Sequence, residues 1–153
     1  MLERIIMSIK DTINENLKEA MRNHDEDGKR VYRMILSSVK FAEKTQGKEL
    51  DDSEVTAILQ KELKIRKETL AEAEKGGREE SKREAEKDIE LIEPLLPKQM
   101  TTEELKAVVE SVIAAVGAQS PADMGKVMKE LMPKVKGLAP NDQVSKMVKE
   151  LLS

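Results

Sequence analysis

In segment after segment of this chain, apolar residues return every three or four positions, the spacing that puts them on one side of an α-helix. The stretch Met124–Gly137, MGKVMKELMPKVKG, shows the pattern most completely. Its Met124, Val127, Met128, Leu131, Met132 and Val135 fall at i, i+3, i+4, i+7, i+8 and i+11. Lys126, Lys129 and Lys136 then gather on the opposite side, with Lys134 at its edge, and Glu130 is the only acid among them. Such a helix gives one face to a core. The other goes to water or to docking against phosphates and acidic surfaces.

The same spacing, read between breakers, divides the rest. The first helix is expected from Glu3 to Asn23, with Ile6, Ile9, Ile13, Leu17, Ala20 and Met21 as its stripe. The polar run His24–Gly28 ends it. A second helix runs from near Asp27 to just before Gly47. Val31, Met34, Ile35, Ser38 and Ala42 share one face and Tyr32, Leu36 and Val39 a neighbouring one, so broad an arc that it predicts a helix buried between others. Asp51-Asp52-Ser53-Glu54 starts a third, which continues to Lys75 until Gly76-Gly77 breaks it. A fourth, Glu79 to Glu93, carries Ala85, Ile89 and Ile92. The third and fourth read as a hairpin whose charged tip stands in water.

Pro94-Leu95-Leu96-Pro97 stops the fourth helix, because proline disfavours helical geometry in the residue before it. The domain boundary is placed there. Beyond it, Thr101-x-x-Glu104 has the form of a capping box ahead of Leu105, Val108, Val109, Val112, Ile113 and Val116, with Gly117 as C-cap. Ser120 is the expected N-cap of the lysine helix, with Pro121 first and Asp123 third. Pro133 should kink or split that helix and Gly137 should end it. Pro140 opens a last helix with Val144, Met147, Val148, Leu151 and Leu152 inward. The expected fold is all-α: a four-helix N-terminal part of helical hairpins (residues 1–97), then a small three-helix C-terminal domain (98–153).

Composition agrees, since Ala, Glu, Lys, Leu and Arg make up about half the chain. With one Tyr, one Phe and no Trp, the cores must come from aliphatics and nine Met. Zero Cys excludes disulfides and thiolate metal sites and suits a cytoplasmic protein. A net charge of −3 argues against indiscriminate nucleic-acid binding. From Lys98 on, however, eight lysines face seven acids, which places the one basic helix face in the C-terminal part. No apolar run is long enough to span a bilayer, so no membrane association is expected. The first residues, MLERIIMSIK, do not read as a signal peptide. Met7 could be an alternative start, leaving MLERII as an added turn of the first helix.

The chain offers little for catalysis. It has no Gly/Ser-rich loop with an activated Ser, no Cys nucleophile and no Gly-rich phosphate loop. Ser37-Ser38 lies mid-helix in an apolar stripe and reads as buried packing. His24, the only His, sits beside Asp25 at a helix end and reads as a solvated cap. Asp25-x-Asp27 fails as a calcium loop, with Leu36 where Glu is needed. No metal or cofactor is expected. Gly125 reads as a helix-contact residue and Gly137 as a cap. The C-terminal part has no aromatic for stacking, so RNA contact there would be to phosphates, ribose and overall shape.

Several stretches together resemble the YqeY-like proteins, which are related to the C-terminal tail of the GatB subunit of tRNA-dependent amidotransferases. They are Val31-Tyr32-Arg33-Met34-Ile35-Leu36-Ser37, Arg66-Lys67 with Arg78, and Leu95-Leu96-Pro97-Lys98-Gln99-Met100 with Glu103-Glu104-Leu105. The most specific are Ala122-Asp123-Met124-Gly125-Lys126-Val127-Met128 and Met132-Pro133-Lys134-Val135-Lys136-Gly137. The resemblance covers nearly the whole chain. It departs from the family pattern at Leu95, where an aromatic is usual, at Lys129, where a small residue is, and at Leu138, where a cation is. It implies an all-helical module whose theme is tRNA. A family label of glutamine-dependent carbon–nitrogen ligase would find no catalytic residues here.

The expectation is therefore a non-catalytic, tRNA-associated accessory protein with Lys126, Lys129, Lys134 and Lys136 on RNA backbone and Gly125, Pro133 and Gly137 as the structural motif. Its partners would be tRNA and an aminoacyl-tRNA synthetase or amidotransferase. The alternative is a protein–protein adaptor acting through the charged hairpin or a Met-rich surface.

Overall fold

In a computed structural model that describes residues 7–153, the first helix, α1 (Ile9–Arg22), begins at a capping serine. Ser8 takes extended backbone angles and its Oγ accepts from the Asp11 N–H at 3.1 Å. The helix therefore does not run through Met7 and Ser8, as the apolar spacing suggested. A serine that caps has left helical geometry. The expectations for Met1–Ile6, including Ile6 in the stripe and the added turn, lie outside the described residues. The end of α1 is equally local. His24 has φ 54, and the N–H groups of His24 and Asp25 donate to the carbonyls of Met21 and Ala20. This is a Schellman motif with histidine in the left-handed position usually held by glycine.

Asp25 then caps α2 (Glu26–Gln46), its carboxylate accepting from the Gly28 N–H at 3.0 Å. The expected five-residue turn is thus shorter, because Glu26, Asp27 and Gly28 already belong to α2. A Cβ at the buried Gly28 would stand 3.0 Å from Ala20 Cβ and 2.6 Å from Asp25 Oδ2, so the approach of α1 to α2 needs glycine there. Tyr32 is buried, and that burial raises the pKa of its hydroxyl, with the nearby Asp25 adding to the rise. α2 is not buried between others. Val31, Ile35 and Val39 are fully covered, while Arg33, Ser37, Lys40, Phe41 and Lys44 face water. Ser37 is accordingly exposed and Ser38 half-buried, not core residues.

α3 (Asp52–Gly76) opens with a complete capping box between Asp51 and Glu54 and closes at Gly77. It forms a hairpin with α4 (Glu79–Ile92), which runs into a 3-10 turn at Glu93–Leu95. Ile13, Val31, Ile35, Val39, Val55, Leu59 and Ile92, all at 0 % exposure, make the core of these four helices. Leu95 packs into the same core.

One acid enters this interior. Asp88 is 3 % exposed and lies with Ala85 and Ile92 on the inward face of α4. Arg30 of α2 reaches it in a forked pair at 2.6 and 3.3 Å, and Arg66 of α3 donates Nε at 3.1 Å. Arg66 also holds Glu62 at 3.0 Å and touches Met34 Sδ. The Asp88 hydrogen bond, first of all, raises the Arg30 pKa. Three helices are thereby pinned at one carboxylate. A second tie involves Glu43, which accepts from Lys10 Nζ at 2.8 Å and from the Leu50 N–H at 3.0 Å. Those two bonds hold its pKa below the usual glutamate range.

The chain divides between Leu96 and Pro97. The second unit contains α5 (Thr102–Val116), α6 (Met124–Val135) and α7 (Asn141–Leu152). Thr101 Oγ1 accepts from the Glu104 N–H at 3.1 Å, the threonine half of the expected box, and Gly117 caps α5. Leu105, Val109, Val112, Val127, Leu131, Val135, Ala139, Val144, Val148 and Leu152 form its separate core. The described chain is all-helical, with no strand among the described residues, and none of its helices is long and apolar enough to cross a membrane.

Two outcomes follow. Asp88→Ala should destabilise the protein by about 2–4 kcal/mol, at the lower end for a broken buried pair because both guanidinium groups retain some contact with water. Urea unfolding measures it, with exposed Glu86→Ala as a near-neutral control. Limited trypsin digestion should cut first at the exposed Lys75–Arg78 tip or after Lys98, and an early cut at Lys106 within α5 would contradict the two-core description.

Candidate functional site

The approach to α6 is set by a carboxylate. Asp123 Oδ2 accepts from the Gln119 N–H at 2.9 Å, and that bond is the main reason its pKa lies below the usual range. Ser120 does not cap with its side chain, contrary to the sequence reading. Pro121–Asp123 forms a 3-10 turn instead, and α6 starts one residue later at Met124. Neither Ser120 nor Asp123 caps the following helix with its side chain; the acid instead ties back to the loop before it.

Within α6, Val127, Leu131 and Val135 are buried and Met124, Met128 and Met132 half-buried. Gly125, Lys126, Lys129, Glu130, Pro133 and Lys134 are exposed. Pro133 does not split the helix. It deprives the Lys129 carbonyl of a partner, but that carbonyl belongs to an exposed turn and α6 ends two residues later.

The helix ends at Val135, before the expected Gly137, and Lys136 is therefore not helical. Lys136 at φ −57, ψ 124 and Gly137 at φ 78 have the central angles of a type II turn, closed by Leu138 N–H donating to Val135 C=O at 2.9 Å. Glycine is required at that positive φ, as a cap of the turn and not of the helix. The segment after the domain boundary holds this turn in place. Gln99 Nε2 donates to the Gly137 carbonyl at 2.8 Å and to the Pro97 carbonyl at 2.9 Å, and Met100 N–H donates to the Leu138 carbonyl at 2.8 Å. No local pattern announces a contact across 38 residues, and so the role of Gln99 was not read from the sequence.

Lys126, Lys129 and Lys134 lie on α6 and Lys136 in the turn after it, all four exposed. None forms an ion pair with a described carboxylate, while Lys106 of α5 pairs with Glu110. Lys129 projects into water, so its charge costs no packing. Leu138 is half-buried beside the turn and adds no cation. Gly125 is not a helix contact: a Cβ there would meet nothing within 4 Å. Gly28 holds that role in this fold. His24 is exposed and spent on its turn, and the described residues contain no group of three or more His, Cys, Asp or Glu placed to hold a metal.

Because Gly125 sits in open space in the first turn of a helix, Gly125→Ala should stabilise the second unit by up to about 0.5–1 kcal/mol. Thermal unfolding followed by circular dichroism measures it; a loss of stability would show that the position is crowded.

A family model described as Yqey-like protein covers residues 10–152. No curated protein matches the chain. The chain belongs to the YqeY-like family.

Proposed function

We propose that this YqeY-like protein is a non-catalytic, tRNA-associated accessory protein of the cytoplasm. In this reading it is built from a four-helix and a three-helix module, and the second docks on RNA backbone. Lys126, Lys129, Lys134 and Lys136 are the contacts. The observation that carries it is the set of four exposed lysines without ion-pair partners on and just after α6, in a protein whose net charge is −3. Evenly solvated charge would intersperse acids, and here only Glu130 and Asp123, which lies near Lys126, do so. Gly125 supports the same reading, since bare backbone beside Lys126 and Lys129 leaves room for a phosphate to come close.

The relation to the amidotransferase GatB tail belongs to this proposal, as does an aminoacyl-tRNA synthetase or amidotransferase partner. The protein's share would be to hold tRNA while chemistry occurs elsewhere. The adaptor alternative loses one of its surfaces. Among the described methionines only Met7 and Met21 are exposed, and Met100, Met124, Met128, Met132 and Met147 pack half-buried against the second core. The charged tip of the α3–α4 hairpin remains its other candidate surface.

Each lysine–phosphate contact releases counterions, so tRNA binding should be roughly micromolar or weaker at physiological salt and should weaken as salt rises. Lys126→Glu/Lys136→Glu leaves every buried residue in place. It should weaken binding about tenfold at low salt and flatten the salt slope by about one per lysine. Binding to unfractionated tRNA at two salt concentrations, with helicity checked, measures both. Equal binding by two equally folded proteins would remove the RNA role from this face.

A further inference from the structure

Phe41 is the chain's only phenylalanine, and it is 73 % exposed. The only other aromatic, Tyr32, is buried on the same helix. A protein with so few aromatics has placed one in its core and the other in water. The surroundings of Phe41 are as uneven. Arg33, Ser37, Lys40, Phe41 and Lys44 fall at i, i+4, i+7, i+8 and i+11 of α2, one outward strip about 16 Å long. All five are exposed.

The cations of this strip differ from their neighbours. Lys29 pairs with Glu26 at 2.7 Å, Arg30 with Asp88 at 2.6 Å and Lys48 with Glu54 at 3.3 Å. Arg33, Lys40 and Lys44 form no ion pair among the described residues. Between Gly28 and Gln46 the only acid of α2 is Glu43, and its carboxylate is taken by Lys10 and the Leu50 N–H. The strip therefore presents three cations around a bare ring, with Lys40 partly balanced by Glu43, and is a second basic helix face in addition to the one expected in the C-terminal part. The buried Val31, Ile35 and Val39 beneath it make a fixed platform.

We propose that this strip binds single-stranded RNA, with an unpaired base stacked on Phe41 and the flanking phosphates on Arg33, Lys40 and Lys44. The chemistry matches the occupant on each count. A base offers the flat π face that an exposed phenyl ring takes, and its backbone offers the anions that Arg33, Lys40 and Lys44 attract. Ser37, between Arg33 and Phe41, supplies a hydroxyl for a ribose 2′-OH. A duplex keeps its bases stacked inside and offers the ring nothing. An acidic protein would satisfy the cations and leave the ring unused. This surface lies in the first unit and takes unpaired bases, so it stands whether or not the lysines of α6 contact RNA.

The test is fluorescence anisotropy of the full chain with four labelled probes at low salt: an oligoadenylate of about ten nucleotides, the same length of oligodeoxyadenylate, a matched RNA duplex and a polyglutamate peptide. The oligoadenylate should bind tightest. Phe41→Ala, which removes an exposed side chain, should weaken it at least about fivefold with an unchanged salt slope, and Phe41→Trp should restore it. Lys40→Gln/Lys44→Gln should weaken it with a shallower slope. The α6 variant Lys126→Glu/Lys136→Glu should keep the loss on Phe41→Ala. Equal affinity of Phe41→Ala and the wild type would overturn the proposal. So would binding of the DNA strand, the duplex or polyglutamate as tight as that of the RNA strand.

Discussion

A helix with a single apolar stripe can give only one side to a core, and every described α-helix of this protein has such a stripe. Two cores follow, one beneath α1–α4 and one among α5–α7, each lined by residues at or near zero exposure. Burial contributes roughly 25 cal/mol per Å² of apolar surface, so the stripes dominate the choice of orientation. Whatever is not stripe is turned to water. The free lysines of α6 and the basic strip of α2 are exposed for this reason, and their position is as fixed as the core behind them.

Asp88 is the exception that the first core accommodates. Charge this deep is tolerated only where hydrogen bonds replace water, and two guanidinium groups from different helices supply them. In the second unit the comparable fixed point is uncharged. The Gln99 side-chain amide and the Met100 N–H bind the turn after α6, so the loop that carries Lys136 is held by uncharged hydrogen bonds and does not depend on salt. The proposed RNA-facing surface gains from that division: the charges face outward while neutral groups hold the frame.

Helix number, type and most boundaries were legible in the sequence because stripe spacing and cap chemistry are both local. Val127, Leu131 and Val135 were correctly inward and the four lysines correctly outward for the same reason. The misses share a different cause. Ser120 suits a cap, but in the folded loop it makes no side-chain cap bond, and the Asp123 carboxylate turns back to the Gln119 N–H. Gly125 and Gly28 are both helical glycines, and only the α1–α2 approach says which one is needed. Lys136 follows the helical period but falls just past the last turn. Asp88 could have been found, since with Ala85 and Ile92 it occupies a stripe position where an acid needs a partner. Its partners, 22 and 58 residues away, could not.

The central claim is that RNA backbone meets the lysines on and after α6. Side-chain NMR of lysine Nζ groups, followed as tRNA is added to the intact protein, tests it most directly. The account predicts that Lys126, Lys129, Lys134 and Lys136 shift together, while the equally exposed Lys146 and Lys149 of α7 stay in place. Shifts confined to the α7 lysines, or no shift at tRNA concentrations that saturate binding, would contradict it.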